Sequence, residues 1–293
     1  MKLATNHSHF ATQFTRYLDA SRDMDILARL SGESDRVFPT FHPIGTVSSR
    51  ILIADPYIQE LRRKYREVIC SENDMELAYF DYSQFEPGIM AALAGDADLM
   101  SLYNQGDVYK ALSIAVYGVP EHRQICKRVF LAYSYGMSLK GIAVLLCGKN
   151  ASDADREFME NKIRQFFERY KSLVLFKSGL EDVLLRDGSV KTLEGNRRQR
   201  LQGGKLSSKE RRWAVSQVVQ GTASLIFKHA LINIMRKFGK NALLIPVHDA
   251  ILMQLPTEEI YAHRAAVVEI MQKSFSRFCP GVSVRVTSGS FHE

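Results

Sequence analysis

The sequence predicts an α+β fold in which an antiparallel sheet is interrupted by a long, mainly helical insertion. Three observations carry that prediction. Leu77-Ala78-Tyr79-Phe80-Asp81 is an apolar and aromatic run ending at a carboxylate, as a half-buried strand that delivers an acid would be. The stretch Leu243–Leu255 sets two apolar runs on either side of His248-Asp249, which reads as a β-hairpin with an acid at its tip. Val282-Ser283-Val284-Arg285-Val286 alternates and supplies one more strand, while most of the chain between the two acids has helical periodicity.

At 293 residues and 46% hydrophobic content, the chain can bury a large core, which excludes a disordered protein. Its 39 Lys and Arg against 32 Asp and Glu leave a net charge of +7, compatible with a polyanionic partner and equally with a basic solvated surface. Cys70, Cys126, Cys147 and Cys279 are scattered without a C-x-x-C pair, which argues against structural zinc. No signal-peptide pattern opens the chain, and no apolar run reaches the ~18 residues of a membrane helix. A reduced, cytoplasmic setting without a membrane is therefore expected.

In chain order, Phe10, Phe14, Leu18, Ile26, Leu27 and Leu30 have helical spacing, closed by Ser31-Gly32. Arg36–Arg66 reads as irregular, with Arg50 after a Gly-Thr-Val-Ser-Ser turn and a cationic cluster over 61–66 that suits either solvent or phosphate. Ser83 and Glu86 have capping-box spacing, although Pro87 would sit badly in that helix, so the helix could instead begin at Pro87. A carboxylate at position 81 must be paired, hydrogen-bonded or metal-bound to be tolerated.

Pro120 opens a helix that Gly136 ends. Arg123, Lys127, Leu131 and Tyr135 recur every fourth residue, a stripe that grades from cationic to aromatic. It suits a nucleoside triphosphate laid along the helix, and also a basic helix turn facing water. Residues 151–186 read as a helix or helix pair with Phe158, Phe166, Phe167 and Tyr170 inside, and Asp187-Gly188 as a hairpin turn. Asn196–Arg200 with Lys205, Lys209, Arg211 and Arg212 forms the most basic region, loop-like and fit for a nucleic-acid backbone. A helix follows from Trp213 to Met235, its internal amides reading as satisfied core groups.

With these motifs in order, the chain resembles the polymerase region of family A DNA polymerases. Asp81-Tyr82-Ser83-Gln84-Phe85-Glu86 is similar to that family's first acidic motif, and Val247-His248-Asp249 to its second. Arg123-x3-Lys127-x7-Tyr135-Gly136 resembles its nucleotide-binding finger helix, and Gln220-Gly221-Thr222-Ala223 its glutamine-bearing helix. Ser49-Arg50-Ile51 with Asp55-Pro56-x2-Gln59 resembles its arginine motif near the primer terminus.

The resemblance implies a right-hand fold: residues 1–35 a short helical lead-in and thumb remnant, 36–103 and 204–293 two parts of a palm, and 104–203 helical fingers. It also implies a DNA-directed DNA polymerase, whether for replication, repair or the copying of a mobile element, that acts on a primed DNA template and dNTPs, with two Mg²⁺ ions that Mn²⁺ can replace. Asp81, Asp249 and the Tyr82 backbone carbonyl would hold the metals. Arg123 and Lys127 would clamp the triphosphate, with Lys127 assisting the leaving group. Leu131, Tyr135, Gln84 and Glu86 would border the nucleotide, Glu86 crowding the sugar 2′ position. Arg50, Gln59, Gln220, His248, Arg197, Arg198 and Arg212 would contact DNA.

Against the family pattern, Ala250 stands where Glu is usual and Leu131 where an aromatic usually stacks. Residues 1–36 are too few for a thumb or an exonuclease-like domain, so no proofreading is expected from this chain, and low processivity unless a separate chain or an omitted segment supplies the grip. A nucleic-acid-binding subunit derived from a polymerase, with little or no activity, is the alternative reading.

Overall fold

A computed structural model describes residues 9–31, 36–148, 150–201, 203–289 and 291. The expected lead-in is helix α1, His9–Leu30. Ser31 closes it by bonding to the carbonyls of Leu27 and Ala28, and Gly32 lies outside the described residues. Asp23, buried in α1, is ion-paired with Arg62, and the Arg66 guanidinium lies 4.5 Å over the Phe291 ring. Part of the cationic cluster is thus spent on packing, Arg62 onto α1 and Arg66 onto Phe291 near the other end of the sequence.

The stretch read as irregular contains an antiparallel pair, β1 (Thr40–His42) and β2 (Leu52–Ala54), in the register Phe41↔Ile53. Strand β1 exposes every side chain, so it lacks the alternation by which a sequence announces a strand.

Strand β3 (Met75–Ser83) runs two residues past Asp81. Ala78, Phe80 and Tyr82 are buried on one of its faces, and Leu77, Tyr79 and Asp81 alternate onto the other. Helix α2 (Phe85–Ala94) follows with Gln84, not Ser83, as its N-cap, at φ 53° and with no side-chain cap bond. The capping box is therefore not formed, and the helix begins two residues before Pro87. Pro87 is tolerated because it sits in the first turn, where its missing N–H has no intrahelical partner to lose.

Helices α3 (Ala97–Gln105) and α4 (Val108–Tyr117) start at Asp96 and Asp107, whose carboxylates accept the N-terminal amides. Helix α5 (Arg123–Ser134) carries the basic stripe, with Tyr135 as C-cap rather than inside the helix. Helices α6 (Leu139–Cys147), α7 (Asp153–Phe167) and α8 (Lys171–Asp187) complete the helical insertion. Phe166, Phe167 and Tyr170 are buried as expected, whereas Phe158 is 59% exposed.

The Asp187-Gly188 pair is not a hairpin turn: Gly188, at φ 65°, is the C-cap of α8. Left-handed glycine serves helix ends and hairpin turns alike, so the dipeptide could not distinguish them. The hairpin comes next, β4 (Ser189–Lys191) with β5 (Arg197–Gln199); it takes Arg197–Gln199 of the predicted basic loop into a strand, while Lys209, Arg211 and Arg212 lie in the first turns of the helix that follows.

Helix α9 (Ser208–Phe238) opens with a complete capping box from Ser207 and Glu210. By length and composition it could cross a membrane, but 61% of its apolar window is buried inside the protein. Strands β6 (Leu243–Val247) and β7 (Ala250–Pro256) form the expected hairpin, α10 (Ile260–Phe278) follows, and β8 (Arg285–Gly289) closes the sheet three residues later than the alternation suggested. The main sheet is antiparallel throughout, in the order β6-β7-β3-β8. One face is covered by the large core with α2, α9 and α10; the other carries a smaller cluster of Ile53, Ile245, Val247, Leu252 and Phe291.

Candidate active site

The two acids meet through strand register. Asp81 pairs directly with Ala250, and Asp249 is the next residue, in the two-residue turn that joins Val247 to Ala250. His248, at φ 55°, takes the left-handed position of that turn and is exposed. Directly opposed residues of an antiparallel pair project to the same face, so the Ala250 methyl lies beside the Asp81 side chain. Ala250 is 2% exposed and puts no carboxylate there. Among the described residues no three His, Cys, Asp or Glu side chains cluster as a metal-binding group.

Arg50 reaches both arms of this site. Its guanidinium donates to Glu86 at 3.1 Å and lies 4.0 Å from Asp249, with both carboxylates largely shielded from water. Burial raises the proton affinity of Asp249 above the ordinary carboxylate value, while Arg50, His248 and Lys127 pull it back down. Burial likewise raises Glu86, with Tyr135 and Arg50 opposing and Asp249 reinforcing. The Tyr135 hydroxyl is buried without a hydrogen bond of normal geometry among the described residues. Burial pushes its phenol well above the usual value, the Glu86 carboxylate adds to that, and the Gln220 amide opposes it. Arg50, Glu86, Tyr135, Gln220, Asp249 and Lys127 thus converge on one place from five different elements and loops.

Other predicted residues are placed differently. Arg123 is held by Asp107 at 2.8 Å and lies 5.3 Å over the Tyr109 ring, so its guanidinium is already partnered. Lys127 is exposed, and Leu131 is half-buried against the main core. Gln84 is buried and accepts the Val108 amide at 2.8 Å, joining α2 to α4. Gln59 accepts from the Ile53 amide at 3.4 Å and donates to the Pro246 carbonyl at 2.9 Å, tying β2 to the β6–β7 hairpin. The Tyr82 side chain is buried in the core, its hydroxyl donating to the Met271 carbonyl.

In the basic region, Arg197 donates to Ser189 Oγ at 2.9 Å, and Arg198 lies 4.4 Å over the Trp213 ring. The Arg212 side chain packs along Gly136, next to Tyr135: a Cβ on that glycine would fall 3.2 Å from Arg212 Cγ. Arg200 is only 7% exposed and donates to Glu210 at 2.7 Å, which holds that carboxyl down at about 2.

Sequence reasoning missed the polar groups around Ser49. Asn196 Nδ2 donates to Ser49 Oγ at 2.5 Å, and the Ser49 carbonyl accepts from Ser224 Oγ at 2.6 Å and Lys228 Nζ at 2.5 Å. A signal was present: Gln217, Gly221, Ser224 and Lys228 recur at helical intervals of four, three and four.

The sequence matches the family model for DNA polymerase family A over residues 2–291. It is 25% identical over 296 residues to DNA polymerase I of Chloroflexus aurantiacus, covering 93% of this chain and 30% of that protein. With DNA polymerase I of Caldicellulosiruptor bescii it shares 30% identity over 258 residues, 80% of this chain and 29% of that protein. The chain therefore spans about a third of the length of these relatives. Among solved structures, the polymerase domain of Pol1 from M. smegmatis, in complex with DNA primer-template and dNTP, superposes with a TM-score of 0.77 at 25% identity, covering 94% of this chain and 52% of that one.

Proposed function

We propose that this chain, which belongs to DNA polymerase family A, is the core of a DNA-directed DNA polymerase that adds deoxynucleotides to a primer 3′-hydroxyl. The observation that carries the proposal is the register Asp81↔Ala250, which brings Asp249 next to Asp81 at the end of the two central strands, where Arg50 and Glu86 meet. In this reading the four-stranded sheet is the palm and the α4–α8 insertion the fingers.

The donor set fits Mg²⁺. Both side chains offer hard oxygen, and desolvated Asp249, with its raised proton affinity, gains from a nearby cation. With two carboxylates and the Tyr82 carbonyl from the protein, the remaining ligands would be water and substrate phosphate, as Mg²⁺ prefers. When bound, the metals supply activation of the primer hydroxyl and neutralisation of charge on the leaving group. Lys127, exposed on α5 and near enough to Asp249 to act on it, holds a positive charge for the triphosphate and a proton for the departing pyrophosphate. Arg123 would have to exchange Asp107 for phosphate, which a charge-assisted bond to a more highly charged group permits. Glu86 and Tyr135 border the sugar and base, while Arg50, Gln220 and exposed His248 face the primer–template. Arg197, Arg198 and Arg212 extend a cationic path for the backbone.

Extension of a primed template by the purified protein tests the proposal. The wild-type chain should extend with dNTPs and Mg²⁺, and Asp81→Ala or Asp249→Ala should abolish extension; equal extension by both variants would refute it. A specific observation favours a second reading. The buried Ala250 methyl occupies the position beside Asp81 that an acid would need, so the chain could serve as a polymerase-derived subunit that binds DNA with little catalysis. Salt-sensitive DNA binding without incorporation, even with Mn²⁺, would select that reading.

A further inference from the structure

Ser49 adopts φ 60°, a left-handed conformation that a non-glycine residue keeps only when its surroundings fix it. Its surroundings do so from two distant elements. Asn196, from the β4–β5 connection, bonds to its hydroxyl, and Ser224 and Lys228 of α9 both donate to its carbonyl. The next residue is Arg50, whose backbone is held as firmly: its amide donates to Thr46 Oγ1 at 2.9 Å, and its carbonyl accepts from the Gly45 amide at 3.1 Å. Only then does the Arg50 side chain leave for Glu86 and Asp249.

The anchoring groups belong to one stripe of α9. Gln217 donates to Asn196 Oδ1 at 3.3 Å, and Gly221 admits Thr192, whose Cγ2 would lie 2.5 Å from any Cβ there. Thr192 Oγ1 in turn accepts the Asn196 amide at 3.1 Å. A continuous path therefore runs from α9 through the β4–β5 connection to Ser49. Lys228 is a long, flexible cation held partly buried on one carbonyl, where burial lowers its proton affinity; a surface role would not require that.

We propose that Lys228 and Ser224, with Asn196, are positioning residues: they lock Ser49 so that the Arg50 guanidinium bridges Glu86 and Asp249. The groups around those carboxylates include Arg50, Lys127, His248, Tyr135, Tyr82 and Tyr109, with Asp81 on the strand opposite Ala250, and each carboxylate acts on the other. Arg50 is the one that reaches both carboxylates, and its backbone follows directly on the Ser49 that the α9 stripe holds. The consequence rests on the polymerase reading, since the carboxylates so tuned are the ones assigned there to metal and sugar.

Two measurements separate the inference from that reading. The Arg50 Nε is buried without a partner among the described residues, so arginine-selective ¹⁵N NMR on the full chain, without metal or DNA, reports whether the guanidinium is held, whatever the chain catalyses. The signal that Arg50→Lys removes should be resolved from those of exposed arginines and exchange slowly with water. Lys228→Met and the milder Ser224→Ala should bring it to the position and fast exchange of a free side chain, and Lys228→Arg, which keeps a cationic donor, should leave it as in wild type. In primer extension, Lys228→Met should lower kcat by about tenfold or more, as a displaced guanidinium would cause, while KM for dNTP changes less and Lys228→Arg keeps most of the wild-type rate. An unmoved Arg50 signal in Lys228→Met and Ser224→Ala would overturn the inference, as would a wild-type Arg50 signal indistinguishable from those of exposed arginines. Failure of the wild-type chain to extend primers would remove the polymerase reading and leave the NMR result standing.

Discussion

Asp249 and Glu86 carry negative charge into a site where burial opposes it, with Arg50 between them. Both carboxyls bind protons more tightly in the folded chain than when unfolded. The native state therefore binds more protons between the ordinary carboxylate range and the raised values, and metal-free stability falls as pH rises through that window. Asp249→Asn should thus raise Tm at about pH 7, with the gain shrinking toward about pH 4. Mg²⁺ should raise Tm of the wild-type chain more than that of the variant. A variant less stable than wild type at neutral pH would contradict this account. Glu86 has a second consequence in the polymerase reading: Glu86→Ala removes the group that crowds the sugar, and relative incorporation of ribonucleotides should rise by about tenfold or more. Competing dNTP and NTP in single-nucleotide extension measures it.

At the scale of elements, α9 does the most organising. Its capping box and the Arg200–Glu210 pair secure one end, and its stripe receives the β4–β5 connection. Gly221 is the point of closest approach, and an added methyl would meet Thr192 Cγ2. Gly221→Ala should therefore destabilise by about 1–3 kcal/mol in denaturant unfolding, the cost of overpacking. Thr192→Ser, which deletes that methyl and keeps the hydroxyl, should recover most of the loss in the double variant. Additive losses would show that the contact is not the cause. The β6–β7 hairpin acts similarly at the acid site, since a slip of one residue would turn Asp81 and its opposed partner to different faces.

Across the whole molecule, the excess of cationic side chains is partly spent inside the structure. Arg62 is paired with Asp23, Arg200 with Glu210 and Arg264 with Glu76. The cations left for a polyanion are those that stay exposed with little to hold them, such as Lys205, Lys209 and Arg212, together with Arg197 and Arg198. If the DNA path runs over them, Arg197→Ala should weaken binding uniformly across sequences and reduce the slope of log K against log salt by about one. Fluorescence anisotropy at several salt concentrations reads this directly, and an unchanged slope would remove Arg197 from the path. Arg198→Ala should cost more than its charge, because the guanidinium also covers Trp213.

Local pattern by itself determined the strand that ends near Asp81, the hairpin with Asp249 at its tip, the helical insertion and the stripe on α5. Each of these depends on periodicity or turn chemistry within a short window, which residues can specify without distant partners. Helix boundaries at Gln84 and Tyr135, and the exposure of Phe158, escaped that logic because neighbouring elements decide them. The Asp187-Gly188 turn escaped it for another reason, since a left-handed glycine serves two local structures equally well. Only the tertiary structure decided that Asp81 and Asp249 are neighbours, that Arg50 bridges Glu86 and Asp249, that Asp107 already holds Arg123, and that α9 grips Ser49. Those contacts join residues up to about two hundred positions apart, and their geometry depends on sheet register and on helix packing over a common core, which no local window of sequence contains.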